Sequence, residues 1–561
     1  MQQYDPITLE ILWSRLIAIV DEASATLVRT SFSTIVRESN DYACVLLDAE
    51  GNSLAQSTLS IPSFISTLPL TVKRFLDVYP AETLEPGDVL LTNDPWLGTG
   101  HLNDINMAMP VFHRGRLIAF AASVAHAPDI GGRLRSPDNR ELFEEGLRIP
   151  VCKWMRAGKP NEDVWSFISH NVRVPDLVIG DLRAQLAANE MASRRLIDLM
   201  EEQGIDDVGD LARTIQSLSE SHMRQAIRAI PDGVYRHEVW MDGFSEPLVI
   251  RLTLSIEGDR VVADYAGTSP QIDRALNVVP NYTFAYTAFP IKCVVSPDTP
   301  NNEGCFRPLT VTAPEGCLLN PRFPAAVGAR ASVGHYLPVA VFGALAEAIP
   351  DRVQAASGSP MWCLHLAGLD ERKRRFAGVF FYNGGQGASA ARDGISCLSF
   401  PSNLSNTPVE VIEHSFPVLL ERKELARDSG GPGRQRGGLG QTLAVRIESS
   451  EPLSAAFMTE RTRFPAEGLE GGGPGARGRV LLNGVQINPK ESRVVQPGDL
   501  LEISTPGGGG FGDARDRDPA AVAADLDAGL ISREAAEREY GPGRASVPVE
   551  GARREGKGRW W

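Results

Sequence analysis

Two apolar runs around a three-residue turn commit part of this chain to an antiparallel hairpin: Ala108 to Phe112 and Arg116 to Val124, turning at His113-Arg114-Gly115. A hairpin brings its two open ends together. Here those ends carry unusual side chains. Gly98-Thr99-Gly100-His101-Leu102-Asn103-Asp104 precedes the first strand, and Ser123-Val124-Ala125-His126-Ala127-Pro128-Asp129 closes the second. The hairpin therefore predicts that His101, Asp104 and His126 converge at one sheet end. The chain holds nine histidines, so two of them beside carboxylates at this place narrow the chemistry. Two imidazoles with one or two carboxylates are a ligand set that leaves a divalent metal with open positions. The plainer reading is that His101 caps a turn and Asp104 forms an Asx-turn. An upstream carboxylate comes from Val36-Arg37-Glu38-Ser39-Asn40-Asp41-Tyr42, where Asp41 and Glu38 compete for a fourth place. Glu38, beside Arg37, is equally a solvated helix-end charge. The set suits one Mn²⁺, Fe²⁺ or Zn²⁺, which would polarise a carbonyl or lower the pKa of a bound water.

At 561 residues the chain is too long for one ordinary core. Apolar residues make up 43% and charged ones 22%, a globular composition. Lysine plus arginine number 56 against 70 acids, a net charge of −14. That balance disfavours a polyanion, so no nucleic acid is expected as partner. No apolar run is long enough to span a bilayer and the first residues do not read as a signal peptide, so no membrane is expected either. The seven cysteines, Cys44, Cys152, Cys293, Cys305, Cys317, Cys363 and Cys397, contain no C-x-x-C pair. They read as reduced thiols of a cytoplasmic protein, and a structural zinc on cysteine is not expected.

Along the chain, Asp5-Pro6 caps a long helix with apolar residues at Leu9, Leu12, Leu16, Ile19, Val20 and Leu27. Tyr42–Leu47 and Ser53–Gln56 form a first hairpin. Helices are expected from Asp181 to Gln203, from Val208 to Ile230 and near Val339 to Ile349. Short strands are expected at Leu443–Ile447, Arg479–Leu482 and Asp499–Ile503, with closing helices at Asp518–Asp527 and Ser532–Tyr540, then a polar, flexible tail from Arg544. Strands and helices fall in separate runs. The fold class is therefore α+β, with mixed, mainly antiparallel sheets, a long N-terminal helix, a central helical pair and a glycine-rich β region toward the C-terminus. The corresponding domains are a metal-site domain at 1–175, the helical pair at 176–230, a central α/β region at 231–430, the glycine-rich β region at 431–512, and helices with a tail at 513–561.

Three glycine segments invite a nucleotide reading: Ser429-Gly430-Gly431-Pro432-Gly433-Arg434, Gly471-Gly472-Gly473-Pro474-Gly475 and Pro506-Gly507-Gly508-Gly509-Gly510-Phe511-Gly512. None carries the GK[ST] of a phosphate loop or the strand–loop–helix context of a dinucleotide site. Tight turns or subunit contacts are the preferred reading, because glycine permits positive φ. Arg330, His335, His365, Asn383-Gly384-Gly385-Gln386-Gly387 and Glu413-His414 could line a cavity, though a structural hydrogen bond is the ordinary role for each. No G-x-S-x-G elbow occurs.

Taken together, several segments make the chain resemble the hydantoinase B/oxoprolinase family along nearly its whole length. They are Arg37-Glu38-Ser39-Asn40-Asp41-Tyr42-Ala43-Cys44, Asn93-Asp94-Pro95 through Asp104, Ala125-His126-Ala127-Pro128-Asp129-Ile130-Gly131-Gly132, Pro300-Asn301-Asn302-Glu303-Gly304-Cys305-Phe306-Arg307-Pro308, and the glycine segments from Asp428 and Thr505. The family's members include B-type subunits of ATP-dependent hydantoinases and lactamases and a subunit of ketone carboxylases. The resemblance implies a metal on His101, Asp104 and His126 plus an acid from the 38–41 segment, Asp41 before Glu38. It also implies an A-type partner of actin-like ATPase fold, carrying ATP and Mg, in a hetero-oligomer. The expected activity is hydrolysis of a hydantoin, oxoproline or lactam ring after the partner phosphorylates the amide oxygen. The alternative within the family is an ATP-dependent ketone (acetone or acetophenone) carboxylase. From another class, two histidines and a carboxylate also suit a non-haem iron oxygenase, and a non-catalytic scaffold with a structural metal is a third possibility.

Overall fold

The structure, a computed structural model, describes residues 4–370 and 372–542. The predicted tail from Arg544 lies outside the described residues. The first helix, Pro6–Thr30, starts where the sequence places it: the Asp5 carboxylate accepts from the Ile7 and Thr8 amides, and Pro6 stands at the first helical position.

A seven-stranded antiparallel sheet organises the first part of the chain. Its strands are β1 (Tyr42–Asp48), β2 (Ser53–Gln56), β3 (Val89–Thr92), β4 (Asp104–His113), β5 (Arg116–His126), β6 (Cys152–Arg156) and β7 (Lys159–Pro160), in the order β2-β1-β5-β4-β3-β6-β7. Alternation of side chains splits β1 between two cores. Tyr42, Cys44 and Leu46 join the cluster formed with the N-terminal helix and the helices Pro175–Gln203 and Gly209–Ile227. Ala43, Val45 and Leu47 face the opposite core. Both faces of this sheet are thus buried, which is why its strands read as nearly continuous apolar runs.

A second sheet holds Gly233–Met241, Leu248–Glu257 and Arg260–Asp264 as an antiparallel meander, with Leu309–Thr312 added in parallel. Two more sheets pack face to face. One has Trp362–Leu369 at its centre, between Arg375–Tyr382 and Leu453–Met458. The other pairs Gln441–Ile447 with Val418–Leu425 and Leu500–Ser504. Trp362, Leu364, Leu366, Leu443, Val445 and Ile503 fill the space between them. The mixture of helices and mainly antiparallel sheets is the α+β class. No helix among the described residues is long and apolar enough to cross a membrane.

The glycine segments do something other than turn. Most of their glycines, including Gly430, Gly431, Gly433, Gly473 and Gly507 to Gly510, do not have positive φ; Gly471 and Gly512 do. They are glycine because the backbones lie against one another. A Cβ on Gly508 would sit 2.1 Å from the Gln386 carbonyl oxygen, and one on Gly510 would sit 2.1 Å from that of Pro432. The amides are consumed in the same contacts: Gly431 donates to the Gly508 carbonyl, Gly508 to Gly438, Gly509 to Ala356 and Gly510 to Gly473. These segments form a layer of extended backbones hydrogen-bonded sideways, and Asn383–Gly387 belongs to it. A phosphate cradle needs free amides pointing outward, and these four are spent.

Gly508→Ala is therefore expected to destabilise the protein by about 3 kcal/mol or more, because the contact is with rigid backbone. Gly209→Ala, whose Cβ meets only side-chain ends at 3.2 Å or beyond, should stay within about 0.5 kcal/mol of the parent. Chemical denaturation of both variants checks this; equal stability would remove the packing explanation.

Candidate metal centre

The register of the β4–β5 hairpin builds the site. Asp104 and His126 are the last paired residues of the two strands, opposite one another. The sequence pattern puts both outside the expected strands; the ladder runs four residues further on the first strand and two on the second, and so includes them. Directly opposed residues share a face. His126 continues the row of Phe120, Ala122 and Val124 toward the large core. Its backbone amide donates to the Asp41 carbonyl at 3.1 Å, which brings the start of β1 alongside.

His101 stands on the turn before β4. Asn93 staples that turn: its amide nitrogen donates to the carbonyls of Leu102 and Leu147, and its oxygen accepts from the Ile149 amide. Gly100 has φ +100°, and a Cβ there would lie 2.8 Å from the Arg330 side chain. Glycine is thus required twice, for the turn and for the arginine that crosses it. Asn281, at the start of the helix Pro280–Val295, donates to the carbonyls of Trp96 and Gly98 and ties the same turn to that helix.

The result is a cluster of three buried residues, His101, Asp104 and His126, whose ligand atoms all lie within 4.8 Å of one another. Asp104 divides its oxygens. Oδ2 accepts from Thr99 Oγ1 at 2.8 Å and from Arg330 Nη2 at 2.7 Å. Oδ1 lies 2.7 Å from His101 Nε2 and 3.1 Å from His126 Nδ1. Asp41 Oδ2 is 3.5 Å from the same His126 nitrogen. Despite the short approach, His101 Nε2 has no hydrogen-bond partner and is fully buried. The imidazole nitrogen and the carboxylate oxygen lie this close in a poor line for a hydrogen bond, an arrangement that also suits two ligands of one ion. Geometry and donor types therefore fit a divalent cation.

The protonation states fit as well. Burial, then the nearby Arg330 cation, hold His101 well below the ordinary imidazole range. Burial brings His126 down to about 4. Both are neutral near pH 7, with lone pairs to offer. Burial works against the Asp104 carboxylate, but the Arg330 guanidinium on its Oδ2 helps to hold it below the ordinary carboxylate range. Burial and the Asp104 charge push Asp41 up to about 7.

The cleft over the cluster, about 340 Å³, is lined by Asp41, Arg135, Tyr282, Tyr286, Arg330 and His335, among others. Arg330 stacks on the Tyr282 ring at 4.2 Å. Of the lesser candidates, Arg330 and His335 thus line this cleft, and His365 lines the neighbouring one. Glu413 accepts from the Leu420 amide and His414 is exposed, so neither contributes. Glu38 is half-buried at the end of the short helix Thr34–Arg37 and is absent from the lining, whereas Asp41 is part of it. Sequence reasoning missed Thr99, Arg135, Tyr282 and Tyr286. The two tyrosines stand four apart on one helix face, a signal present in the sequence but indistinguishable there from core packing.

The hydantoinase B/oxoprolinase model matches residues 5–514. The chain belongs to the hydantoinase B/oxoprolinase family. It is 31% identical to the caprolactamase subunit beta of Pseudomonas jessenii over 96% of both chains. It is 30% identical to 5-oxoprolinase 1 of Arabidopsis thaliana over 91% of this chain but 42% of that one, so that relative has a large further region with no counterpart here. Among solved structures, the ATP-dependent caprolactamase of Pseudomonas jessenii superposes with a TM-score of 0.88 at 29% identity, covering 96% of each chain. An acetone carboxylase chain superposes with 0.86 at 21% identity, covering 96% of this chain and 79% of that one, which establishes a common fold.

One prediction follows from the buried, neutral His335, which burial brings down to about 3. Unfolded, its imidazole binds a proton below its ordinary 6.5; folded, it does not until near 3. Between these values the unfolded state holds more protons, so stability falls on acidification by about 1.4 kcal/mol per pH unit from this residue. Unfolding free energies of His335→Gln, measured from pH 6.5 down to 5, should fall less steeply than the parent's. Identical slopes would contradict this.

Proposed function

We propose that this chain is the metal-bearing B-type subunit of an ATP-dependent enzyme that opens a cyclic amide, a hydantoin, oxoproline or lactam. The observation that carries the reading is the convergence of His101 Nε2, Asp104 Oδ1 and His126 Nδ1 on one buried point, in a chain of this family. Asp41 is the fourth ligand, ahead of Glu38, because its Oδ2 lies 3.5 Å from His126 Nδ1 and it lines the cleft, which Glu38 does not. The ion is one divalent Mn, Fe or Zn; when bound, it supplies Lewis acidity.

The protein's own groups set the geometry. Arg330 and Thr99 hold Asp104 Oδ2, which turns Oδ1 to the imidazoles. The Gly328 carbonyl, 3.4 Å from His101 Nδ1, fixes the proton there and leaves Nε2 free. Tyr282, Tyr286, Met361 and Phe381 form an apolar wall for the carbon skeleton of the ring.

A ring amide is a poor electrophile with a poor leaving group. Phosphorylation of its oxygen by ATP makes the carbon electrophilic. Water then adds to that carbon and the ring C–N bond breaks, which frees the amine and leaves an acyl phosphate; a second water attacks the acyl carbon, phosphate leaves with the former amide oxygen, and the carboxylate forms. The ATP-binding part belongs to an A-type partner subunit, with Mg on that partner, in a hetero-oligomer of the cytoplasm. The spent amides of the glycine layer support this division of labour, and so does the naming of the Pseudomonas jessenii relative as a subunit beta. The ketone carboxylase is the second reading; the likeness to acetone carboxylase supports the fold it would need.

Two outcomes are expected. Elemental analysis should find about one Mn, Fe or Zn per chain, as one such cluster fills one coordination sphere. That metal should be lost in His101→Ala and Asp104→Ala and bound at least about tenfold more weakly in Asp41→Ala, with little change in Glu38→Ala. Full occupancy in the first two variants would refute the site. Second, with its partner and ATP, the enzyme should place oxygen from labelled water in the carboxylate product and release phosphate. Labelled bicarbonate carbon appearing in a ketone product would establish the carboxylase instead.

A further inference from the structure

Two arginines reach the cluster, and only one is satisfied. Arg330 is fully engaged: Nη2 on Asp104, Nε on the Thr99 carbonyl, and its plane on Tyr282. Arg135 is different. Its polar neighbours are His365 Nε2 and His101 Nδ1, each at 3.4 Å, and the Cys363 sulfur at 3.7 Å. Among the described residues no carboxylate stands close enough to pair with it; Asp41 feels its charge only from further off. One of those three contacts is also unavailable in the working site. With His101 Nε2 aimed at the cluster, its proton resides on Nδ1 and points to the Gly328 carbonyl. Arg135 Nη1 then faces a donor. A half-buried guanidinium left with imidazole and thiol neighbours lacks the oxyanion that its fork is shaped to bind.

Its position says where that oxyanion would lie. Arg135 lines both the cleft over the cluster and a second cleft of about 480 Å³ beside it. The second cleft is also lined by Glu145, Asn103, Asn139 and His365. Glu145 is 6% exposed. Its Oε1 accepts from the Val327 and Gly328 amides, while its buried Oε2 has no partner. Burial pushes its pKa up to about 8, so near neutrality it carries a proton, which the unpartnered Oε2 can donate. The other carboxylate of this cleft, Asp129, is occupied by Arg173. The boundary between the clefts thus offers a cation and a neutral acid, with no free anion to repel a ligand.

We propose that Arg135 is an anion-binding residue that holds the phosphoryl oxygens of an oxygen-phosphorylated substrate at the boundary between the two clefts. This rests on the phosphorylated cyclic amide proposed above and names the group that receives its phosphate. It assigns the apolar wall of the first cleft to the ring and the second cleft to the phosphate.

The test is calorimetric titration of the full chain with inorganic phosphate, before and after metal removal, so that binding to a metal is separated from binding to Arg135. The parent is expected to bind phosphate in both forms. Arg135→Gln should bind it about tenfold or more weakly, in keeping with the loss of a charge-assisted pair, with unchanged metal content. Arg135→Lys, which keeps the charge without the fork, should recover part of the loss. Equal phosphate affinity in the parent and Arg135→Gln, or no phosphate binding by the metal-free parent, would overturn the proposal. So would acetate binding as tightly as phosphate with the same dependence on Arg135, which would mark a carboxylate subsite. Each failure is distinguishable from failure of the functional reading: a parent with full metal that ignores phosphate loses only this assignment, and one that binds phosphate but no metal loses only the metal centre.

Discussion

The pairing of Asp104 with His126 is the contact on which the rest of the centre depends. It is a rung of an ordinary antiparallel ladder, held by backbone hydrogen bonds and by apolar rows on both faces of the sheet. A slip of one residue would turn every side chain of one strand to the opposite face. If that strand were the one carrying His126, the imidazole would point into the helical layer and the Asp104 carboxylate would lose it. Precision at the centre is therefore inherited from the large area of sheet behind it rather than from local bonds. The surrounding hydrogen bonds, from Thr99, Arg330 and the Gly328 carbonyl, then fix which atom of each side chain faces inward.

Much of this was legible in the sequence, for physical reasons. The hairpin of Ala108–Phe112 and Arg116–Val124 announces itself by apolar strands around a tight turn, and closing it brings His101, Asp104 and His126 together without knowledge of the remainder. The N-terminal helix and the central helical pair are periodic enough to be found, although the first helix of the pair begins at Pro175, six residues before the expected Asp181. Arg135 was not legible, because nothing in Arg133-Leu134-Arg135 distinguishes an arginine that folds inward from one paired at the surface, as Arg133 is with Asp138 and Glu144. Tyr282 and Tyr286 come from a helix far along the chain, and only tertiary packing reveals that their edges overlook the cluster. The choice between Asp41 and Glu38 was left open by spacing; the backbone bond from His126 to Asp41 favours the former.

The glycine segments show where a sound local rule misleads. Glycine is usually needed for its access to positive φ, and turns were the natural expectation. Here most of these residues have backbone angles any amino acid could adopt. What they require is the absence of a side chain, because another backbone passes where the Cβ would be. That requirement is created by segments from 355 to 512 lying side by side and cannot be read from one segment alone. Each residue immobilised there costs more backbone entropy than usual, and the sideways hydrogen bonds compensate.

The cleft over the cluster draws its walls from Asp41 at one extreme of the chain order to Leu404 at the other. Its contributors include Asp41 just before the first hairpin, the ends of the β4–β5 hairpin, the helix carrying Tyr282, the Arg330 segment and the strand of Phe381. No contiguous fragment contains a working share of them. Gene fusion or fission can therefore attach this unit to a partner or release it, but only outside these bounds. A cut within them would yield pieces that each fold around half a pocket. Evolution can move such a centre between enzymes only as one indivisible block.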